Sequence, residues 1–414
     1  MFIRSLLTVS LLAQLSGTAL AADATHLTDQ QAARIMTESS TERPLVVKKV
    51  ADLTEGVEDP FDPLAVDATT TPLEPVDQQD IRDIGQGFSN SVPTEQGLDK
   101  IESTEASHTS APPVAAKWDL NGLNSADWYD NIGRGQFPVY ARAHVLLNNA
   151  HASPGAIDGT SGKNTQKAIL TFQTIHGLER TGSLDKATWD ALIAKHPEDA
   201  YMEYTITAQD LKGPFLPSIP ANYAEQAKLP GLYYTRVSEA LAEKFHMDEA
   251  FLKKLNPNAK FKAGEKLIVA NVKNDLPENI HYIVAHKGVK QLYLFNSSWK
   301  MIGSFPASIG STETPSPTGK YRITGVAKNP PYSYSPTNFV QGGNLKPLTL
   351  PPGPNGPVGN IWIALSKRSF GIHGTPNPSM ISKSFSHGCI RLTNWDANDL
   401  GRKVKAGVEV MFIE

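Results

Sequence analysis

The sequence predicts a multidomain α+β protein, and three observations lead to this fold class. The chain has 414 residues, and at roughly 150 residues per domain this length corresponds to two or three folded units. Apolar residues repeat with helical spacing between about 137 and 194, whereas short β-branched and aromatic runs separated by Gly, Pro and Asn follow from residue 280 onward. A helical unit, a small mixed unit and a β-rich unit are therefore expected in that order.

Residues 1–21 have the composition of a signal peptide. Arg4 is followed by an apolar run over residues 5–15 and by Ala19-Leu20-Ala21, the small-x-small pattern that precedes cleavage. A short membrane anchor is the alternative, but the run falls short of the roughly 20 apolar residues that span a bilayer. We therefore predict export to the periplasm or cell envelope, with no transmembrane anchor in the mature chain.

Residues 22–116 are acidic and poor in aromatic side chains. They contain 18 acidic and 6 basic residues, 8 prolines and 2 aromatic residues, Phe61 and Phe88. Such a segment buries too little apolar area to offset its ordering entropy, so we predict a disordered acidic linker. Residues 117–414 carry 24 acidic and 32 basic side chains, and this basic excess favours a position near an anionic envelope.

Residues 117–200 are predicted to form a three-helix domain, because apolar side chains recur at helical spacing in three stretches. Within them stand Asp158-Gly159, Gly162-Lys163-Asn164-Thr165, Phe172-Gln173, Gly177-Leu178, Thr181-Gly182 and Thr188-Trp189. This motif resembles the three-helix peptidoglycan-binding module of bacterial envelope enzymes. The resemblance implies a partner, peptidoglycan, although tight loops between helices also require such glycines and capping residues.

Residues 201–275 are predicted to hold a second small module, from about 233 to 272, and a linker. Ser238 and Asp248 are suitable caps for two short helices, and Asn256-Pro257-Asn258 is a turn before the strand that includes Lys266-Leu267. This strand, helix, helix, strand order resembles a LysM-like glycan-binding module. Arg236-Val237-Ser238 stands where that family has Gly-Asp-Thr, so glycan binding and a packing role are both open.

Residues 280–414 are predicted to be a β-rich domain with one helix after Asn394, and the proline-rich residues 329–359 are expected to lack regular structure. This domain carries the densest chemical signal. Cys389 is the one cysteine in the chain, which excludes a disulfide scaffold and a Cys-rich structural zinc site. It is preceded by Ser386-His387-Gly388 and followed by Ile390-Arg391, and His373 lies 16 positions upstream. A thiol is mostly protonated near neutrality, and an imidazole that takes its proton makes it a nucleophile. We therefore interpret Cys389 as a nucleophile rather than as inert packing.

This stretch resembles the active-site signature of the L,D-transpeptidases, the YkuD-type catalytic domain. Thr314-Pro315-Ser316-Pro317-Thr318-Gly319 is also similar to a turn of that family. By this resemblance Cys389 is the nucleophile, His373 is the general base, and the carbonyl of Gly374 orients the imidazole.

The remaining signature residues are assigned to the oxyanion and substrate site. Gly388 lets the backbone approach a substrate carbonyl, and the N–H groups of Gly388 and Cys389 are suited to bind an oxyanion. Ser386 and His387 are expected to shape this loop. Arg391 either binds a carboxylate of the substrate or fixes the loop through a buried ion pair. A zinc site is disfavoured because no fourth ligand has a suitable spacing, so no metal or other cofactor is predicted.

The resemblance implies an exported cysteine transpeptidase that acts on peptidoglycan. The thiolate attacks the third residue of a stem tetrapeptide donor, releases the terminal D-amino acid and leaves a thioester, which an amine acceptor on a second stem converts into a cross-link. Water as the acceptor makes an L,D-carboxypeptidase, and an amine on a protein makes a protein-to-peptidoglycan attachment enzyme. Carbapenem-type β-lactams are expected to acylate the same cysteine, and no nucleic-acid partner is expected.

Two alternatives come from other classes of protein. A non-catalytic peptidoglycan-binding protein would keep every function after loss of the Cys389 thiol. A papain-like peptidase would carry its cysteine ahead of its histidine, whereas here His373 comes first, and this order argues against it.

Overall fold

The computed structural model describes residues 117–273, 275–310, 316–334, 346–384 and 388–414. The predicted signal peptide and acidic linker, residues 1–116, lie outside the described residues, as do Ser386 and His387. None of the described helices has the length and the apolar composition needed to cross a membrane.

The helical unit contains four helices ahead of the first strand in the described part of the chain. They are α1 (Leu120–Asn124), α2 (Pro138–Asn149), α3 (Lys163–Ile175) and α4 (Lys186–Lys195). The carboxylates of Asp119 and Asp185 cap α1 and α4 by accepting hydrogen bonds from backbone N–H groups of the first turn. Pro138 begins α2, where its missing N–H costs no helical hydrogen bond.

The middle unit is built around the antiparallel pair β1 (Tyr201–Thr205) and β2 (Lys266–Ala270). Between them lie α5 (Tyr223–Gln226), α6 (Val237–Lys244) and α7 (Glu249–Leu255). The first strand therefore lies about 30 residues upstream of the predicted start of the module. The difference arises because residues 206–236, which we call the insertion, separate β1 from α6.

One of the two predicted caps in this unit is wrong. Asp248 does cap α7 through the N–H of Phe251. Ser238 instead lies inside α6, which begins at Val237, and its hydroxyl donates to the Glu249 carboxylate at 2.6 Å. Ser238 therefore bonds to a side chain at the start of α7 instead of capping its own helix.

The helical and middle units share one hydrophobic core. Buried side chains from both, such as Leu147, Phe172, Phe251 and Val269, belong to a single cluster. Two backbone hydrogen bonds join the units further. The N–H of Ile157 donates to the carbonyl of His246, and its carbonyl accepts from the N–H of Asp248, both in the turn before α7. They are therefore packed together rather than strung along a linker.

The β-rich unit forms one sheet of nine strands in the described residues, in the order β5-β4-β3-β13-β7-β10-β11-β12-β6. The strands are β3 (Tyr282–His286), β4 (Gln291–Phe295), β5 (Met301–Pro306), β6 (Ser308–Ile309), β7 (Gly319–Lys328), β10 (Ile361–Leu365), β11 (Gly371–His373), β12 (Ile390–Arg391) and β13 (Glu409–Ile413). Two neighbouring pairs are parallel, β3 with β13 and β11 with β12. The predicted helix after residue 394 is present as α8 (Asn394–Lys403).

The sheet curls back on itself. β5 and β6 lie at its opposite edges, yet only Ala307 separates them along the chain, so the two edges must approach each other. Ile372, Ile390 and Leu400 are among the buried residues of the cluster that this sheet and α8 enclose.

Residues 329–359 were expected to lack regular structure, and this prediction is wrong in part. β8 (Tyr332–Tyr334) and β9 (Leu348–Leu350) pair antiparallel. The pairing is possible because Pro330, Pro331, Pro347 and Pro351 lie just outside the paired residues, where a missing N–H removes no ladder hydrogen bond.

Helix α3 packs on the β-rich unit. Leu170 joins a cluster with Tyr293, Trp299 and Met301 of the sheet. The buried Lys167 ammonium donates to the backbone carbonyl of Lys290 at 3.0 Å and to two further oxygens. A helix of the helical unit therefore covers one face of the sheet that carries the candidate site.

Candidate active site

Two parallel strands bring the distant histidine and cysteine to one place. β11 and β12 pair with Ile372 opposite Ile390 and His373 opposite Arg391. Side chains alternate between the faces of a strand, and both isoleucines are fully buried in the core. His373 and Arg391 therefore lie on the opposite face. Cys389 directly precedes β12. It stands two residues before Arg391, so the same alternation predicts that its side chain points to the face of Arg391 and His373.

His373 is held in one orientation. Its Nδ1 donates to the carbonyl of Gly374 at 2.7 Å, which leaves Nε2 as the nitrogen that accepts a proton. The ring stacks on Trp362, its cross-strand neighbour, with centroids 5.6 Å apart and planes at 17°. Only 5% of the residue is exposed, so the imidazole has little freedom to turn.

Burial keeps both groups of the pair uncharged at rest. It lowers the pKa of His373 from 6.5 to about 3, with a further lowering by the charge of Arg391, against the opposing hydrogen bond to Gly374. Burial also raises the pKa of the Cys389 thiol from 9.0 to about 11, although an N–H of Gly371 and the Arg391 charge oppose this. Cys389 is half-buried as a residue. At rest the thiol of Cys389 and the imidazole of His373 are therefore both neutral.

Arg391 is half-buried and lies close to a cluster of tyrosines that we call the aromatic wall, formed by Tyr223, Tyr332 and Tyr334. Burial lowers the pKa of its guanidinium, whereas its interactions with Cys389, Tyr223 and Tyr332 raise it. Tyr223, on α5 of the insertion, makes edge contacts with Tyr332 and with Tyr334 at centroid distances of 6.5 and 5.0 Å. The middle unit thus contributes an aromatic side chain close to this arginine.

Gly388 adopts a backbone conformation that favours glycine, with φ of +105°. Its carbonyl accepts a hydrogen bond of 2.5 Å from the hydroxyl of Ser316. Ser316 belongs to the turn at residues 314–319 that the sequence singled out, of which 316–319 are described. The turn therefore holds the backbone immediately before the cysteine.

Sequence reasoning assigned no role to two side chains that lie against the site. Trp362 stacks on His373, and Asn394 accepts the N–H of Thr375 at 3.1 Å through its Oδ1 atom. An aromatic residue in a strand usually indicates core, and Asn394 marked only the start of a helix. Their positions depend on strand register and helix placement, for which the chain carries no local signal.

Comparisons with known proteins agree with this architecture. The family model described as "L,D-transpeptidase catalytic domain" matches residues 280–412, and the one described as "Putative peptidoglycan binding domain" matches residues 143–192. The first coincides with the nine-stranded sheet, and the second runs from within α2 to within α4.

Relatives and solved structures are similar to parts of the chain. The "Putative L,D-transpeptidase YkuD" of Bacillus licheniformis is 30% identical over 176 residues, 42% of this chain and 90% of the relative. The "Probable L,D-transpeptidase YbiS" of Escherichia coli is 27% identical over 188 residues, 44% of this chain and 61% of the relative. L,D-transpeptidase 3 from Mycobacterium tuberculosis is 18% identical, with 36% of this chain and 65% of that one covered and a TM-score of 0.28, too low to support an argument.

The sequence likeness spans nearly the whole of the Bacillus licheniformis relative, and the matched family region contains the His373 and Cys389 strands. The chain belongs to the YkuD-type L,D-transpeptidase family.

Proposed function

We propose that this protein is an exported L,D-transpeptidase that cross-links peptidoglycan between third stem residues through a thioester on Cys389. The observation that carries the proposal is the parallel pairing of β11 with β12. It places an oriented, buried imidazole on the face of the sheet where the cysteine emerges. Family membership and the peptidoglycan-binding domain support peptidoglycan as the substrate.

In the first step, the Cys389 sulfur attacks the carbonyl carbon of the third stem residue. The thiol proton moves to Nε2 of His373, and the backbone N–H groups of Gly388 and Cys389 are proposed to bind the oxyanion. The tetrahedral intermediate collapses with cleavage of the bond to the terminal D-amino acid. That leaving amine takes the proton from His373, and a thioester remains.

In the second step, an amine of a second stem attacks the thioester carbonyl. His373 removes a proton from the attacking nitrogen and returns it to the departing sulfur, which regenerates the neutral pair. Because the pKa of the thiol is raised to about 11 and that of His373 is lowered to about 3, proton transfer has to accompany attack rather than precede it.

The rest of the chain is proposed to deliver this domain to the wall. Residues 1–21 are the proposed signal peptide and 22–116 the acidic linker. We also propose that residues 117–200 form a peptidoglycan-binding domain around their three longer helices, α2, α3 and α4. Residues 201–275 are proposed to contain a LysM-like module, and 280–414 the catalytic domain. Binding to a polymer raises the local concentration of its stems around the catalyst.

Mass analysis of defined muropeptides incubated with the mature chain tests this function. Tetrapeptide stems are expected to give dimers that lack one terminal D-amino acid, and Cys389→Ala and His373→Ala should abolish them. Tripeptide without dimers would instead identify the carboxypeptidase, and linkage of an added amine-bearing protein would identify the attachment enzyme. No product from folded protein would favour the non-catalytic binding protein. A carbapenem is expected to add its mass to the wild type but not to Cys389→Ala.

A further inference from the structure

A side chain from the middle unit reaches the support of the proposed general base. Glu243 lies near the end of α6, more than 100 residues before His373 in the chain. Its Oε1 atom accepts a hydrogen bond of 3.3 Å from the amide nitrogen of Asn394, the first residue of α8. This contact joins two units that the sequence presents as separate modules.

Helix α6 is docked firmly enough to hold that contact. Leu232, in the insertion just before α6, donates its backbone N–H to the Pro352 carbonyl at 2.8 Å and accepts from the N–H of Asn355 at 2.9 Å. The Asn355 amide also donates to Glu239, one turn before Glu243, at 2.9 Å. These bonds, one to α6 itself and two to Leu232 before it, hold α6 and the segment that leads into it against the loop that precedes β10.

The Asn394 amide has a defined partner on each side. Its nitrogen carries two hydrogens, and these serve the Glu243 carboxyl and the Pro354 carbonyl, the latter at 3.2 Å. Its Oδ1 atom accepts the N–H of Thr375 at 3.1 Å. A flip of the amide would turn its nitrogen toward the Thr375 N–H and its oxygen toward the Pro354 carbonyl, so these two partners set the orientation and Glu243 accepts the remaining hydrogen.

The Asn394 amide packs against the Gly374–Thr375 turn, which directly follows His373. Gly374 leaves no room for a Cβ against the Oδ1 atom of Asn394. The same residue supplies the carbonyl that accepts Nδ1 of His373, and the next residue, Thr375, donates to Asn394. A displacement of Asn394 would therefore move the carbonyl that fixes the imidazole.

We propose that Glu243, supplied by the middle unit, is a positioning residue for His373 and acts through Asn394 and the Gly374–Thr375 turn. The inference rests on the proposed function of His373 as the general base. It assigns to the middle unit a part in forming the active site, besides any contact with glycan.

The carboxyl is suited to this role because it is neutral near pH 7. Burial raises the pKa of Glu243 from 4.5 to about 8, with a smaller contribution from Glu239, against the hydrogen bond from Asn394. A glutamine can therefore replace it, because its amide oxygen accepts the same hydrogen bond without a charge. Alanine removes the acceptor and leaves one Asn394 hydrogen without its partner.

The experiment compares Glu243→Ala, Glu243→Gln and Glu239→Ala in the mature chain. Isotope-labelled histidine gives an NMR signal for the His373 Nδ1 proton, assigned by its loss in His373→Gln, and muropeptide turnover gives kcat and KM. We expect Glu243→Ala to lose or shift this signal and to lower kcat about tenfold, with little change in KM. Glu243→Gln should restore both. Glu239→Ala, which removes a docking contact of the same helix without touching Asn394, should keep both.

Other outcomes overturn the inference. If folded Glu243→Ala keeps the His373 signal and the turnover, Glu243 does not position the imidazole. If Glu239→Ala matches Glu243→Ala, docking of the helix matters and the specific contact does not. If the wild type makes no cross-links while the His373 signal responds as expected, the positioning role stands and the proposed transpeptidation fails.

Discussion

The proposed catalytic pair, Cys389 and His373, differs in charge state from the thiolate and imidazolium arrangement that a Cys/His pair can adopt. Burial acts on the two groups in opposite directions of pKa, but in both cases it favours the neutral form. A neutral thiol is a poor nucleophile, so it reacts slowly with solutes that reach it when no substrate is bound.

Alkylation of Cys389 by iodoacetamide should report this charge state. The thiolate is the reactive form, and a raised pKa means that the thiol stays protonated to higher pH. The rate is therefore expected to climb with pH toward about 11, without a plateau near the ordinary value of 9.0. Since the chain has one cysteine, the mass added to the wild type in excess of that added to Cys389→Ala measures this residue alone. Protein unfolded in urea is the control, and a rate that is already constant at pH 7 would indicate a thiolate.

At the scale of residues, the sequence predicts Cys389 and His373 as the reactive side chains but not the side chains that surround them. Cys389 and His373 stand out because a lone cysteine beside Gly and Arg residues has few structural explanations. Asn394 and Glu243 carry no such signal, because a buried Asn or Glu is recognised only from its partners. The Gly374 carbonyl was expected to orient the imidazole, and the 2.7 Å contact is present.

The insertion and the β8–β9 pair pack against each other close to Arg391 and share one apolar cluster. Leu232, Tyr334 and Leu350 are buried together, with Ile219 and Tyr223 packed around them. A three-residue strand pair is marginal alone, so this apolar cluster is what stabilises it. The wall next to the arginine therefore depends on packing between two units.

Substitution of Leu232 should destabilise the packing between the insertion and the β8–β9 pair. Leu232 is fully buried, and Leu232→Ala is expected to cost about 2–5 kcal/mol of packing free energy. We expect faster cleavage within residues 206–236 in limited proteolysis followed by mass analysis. Leu211→Ala, at a position of the same insertion that is 36% exposed, should leave the rate nearly unchanged. Equal rates for wild type and Leu232→Ala would contradict the role of the cluster.

Elements were predictable where the signal is local. Helices α3 and α4 follow from their apolar spacing, and α7 also from its Asp248 cap. β1 was missed because its partner β2 follows it by more than 60 residues and the insertion hides the pairing. β8 and β9 were missed because a high proline content indicates loop, whereas only the position of each proline relative to the ladder decides.

In the whole molecule, the helical unit packs directly against the sheet. Thr171 of α3 shares a 2.7 Å hydrogen bond with Ser304 of β5, and the Ser304 backbone also bonds with residues 151 and 153. Both residues of the hydroxyl pair are buried. Separation of the units would expose these polar groups together with the apolar cluster around Leu170.

A fragment of residues 276–414 should therefore fold poorly alone. It lacks α3, so the face formed by Tyr293, Trp299 and Met301 meets water. We expect a broad urea transition and a weak near-ultraviolet circular dichroism signal, whereas residues 117–414 should unfold cooperatively. A sharp transition of the fragment at the midpoint of the longer chain would show that the sheet is independent of the helical unit.

A buried carboxyl between the units should make stability depend on pH. Asp396 of α8 is only 3% exposed and accepts a 3.0 Å hydrogen bond from the hydroxyl of Ser153. Burial raises its pKa from 3.8 to about 7, and the Asp399 charge adds to this, against hydrogen bonds from Thr393 and Ser153. The folded protein thus binds this proton more tightly than the unfolded chain does. Its stabilising contribution is complete below about pH 3.8 and is lost as the pH rises through about 7.

Asp396→Asn removes the titration but keeps an oxygen for the Ser153 hydroxyl. The variant should therefore gain stability relative to the wild type as the pH rises from about 4 to about 8, by roughly 3 kcal/mol between these limits. Urea unfolding at both pH values measures the difference. Asp190→Asn, in an exposed pair with Lys186, should change little between them. An Asp396→Asn effect of the same size at both pH values would mean that the carboxyl is ionised in the folded protein throughout, stabilised by its hydrogen bonds against burial.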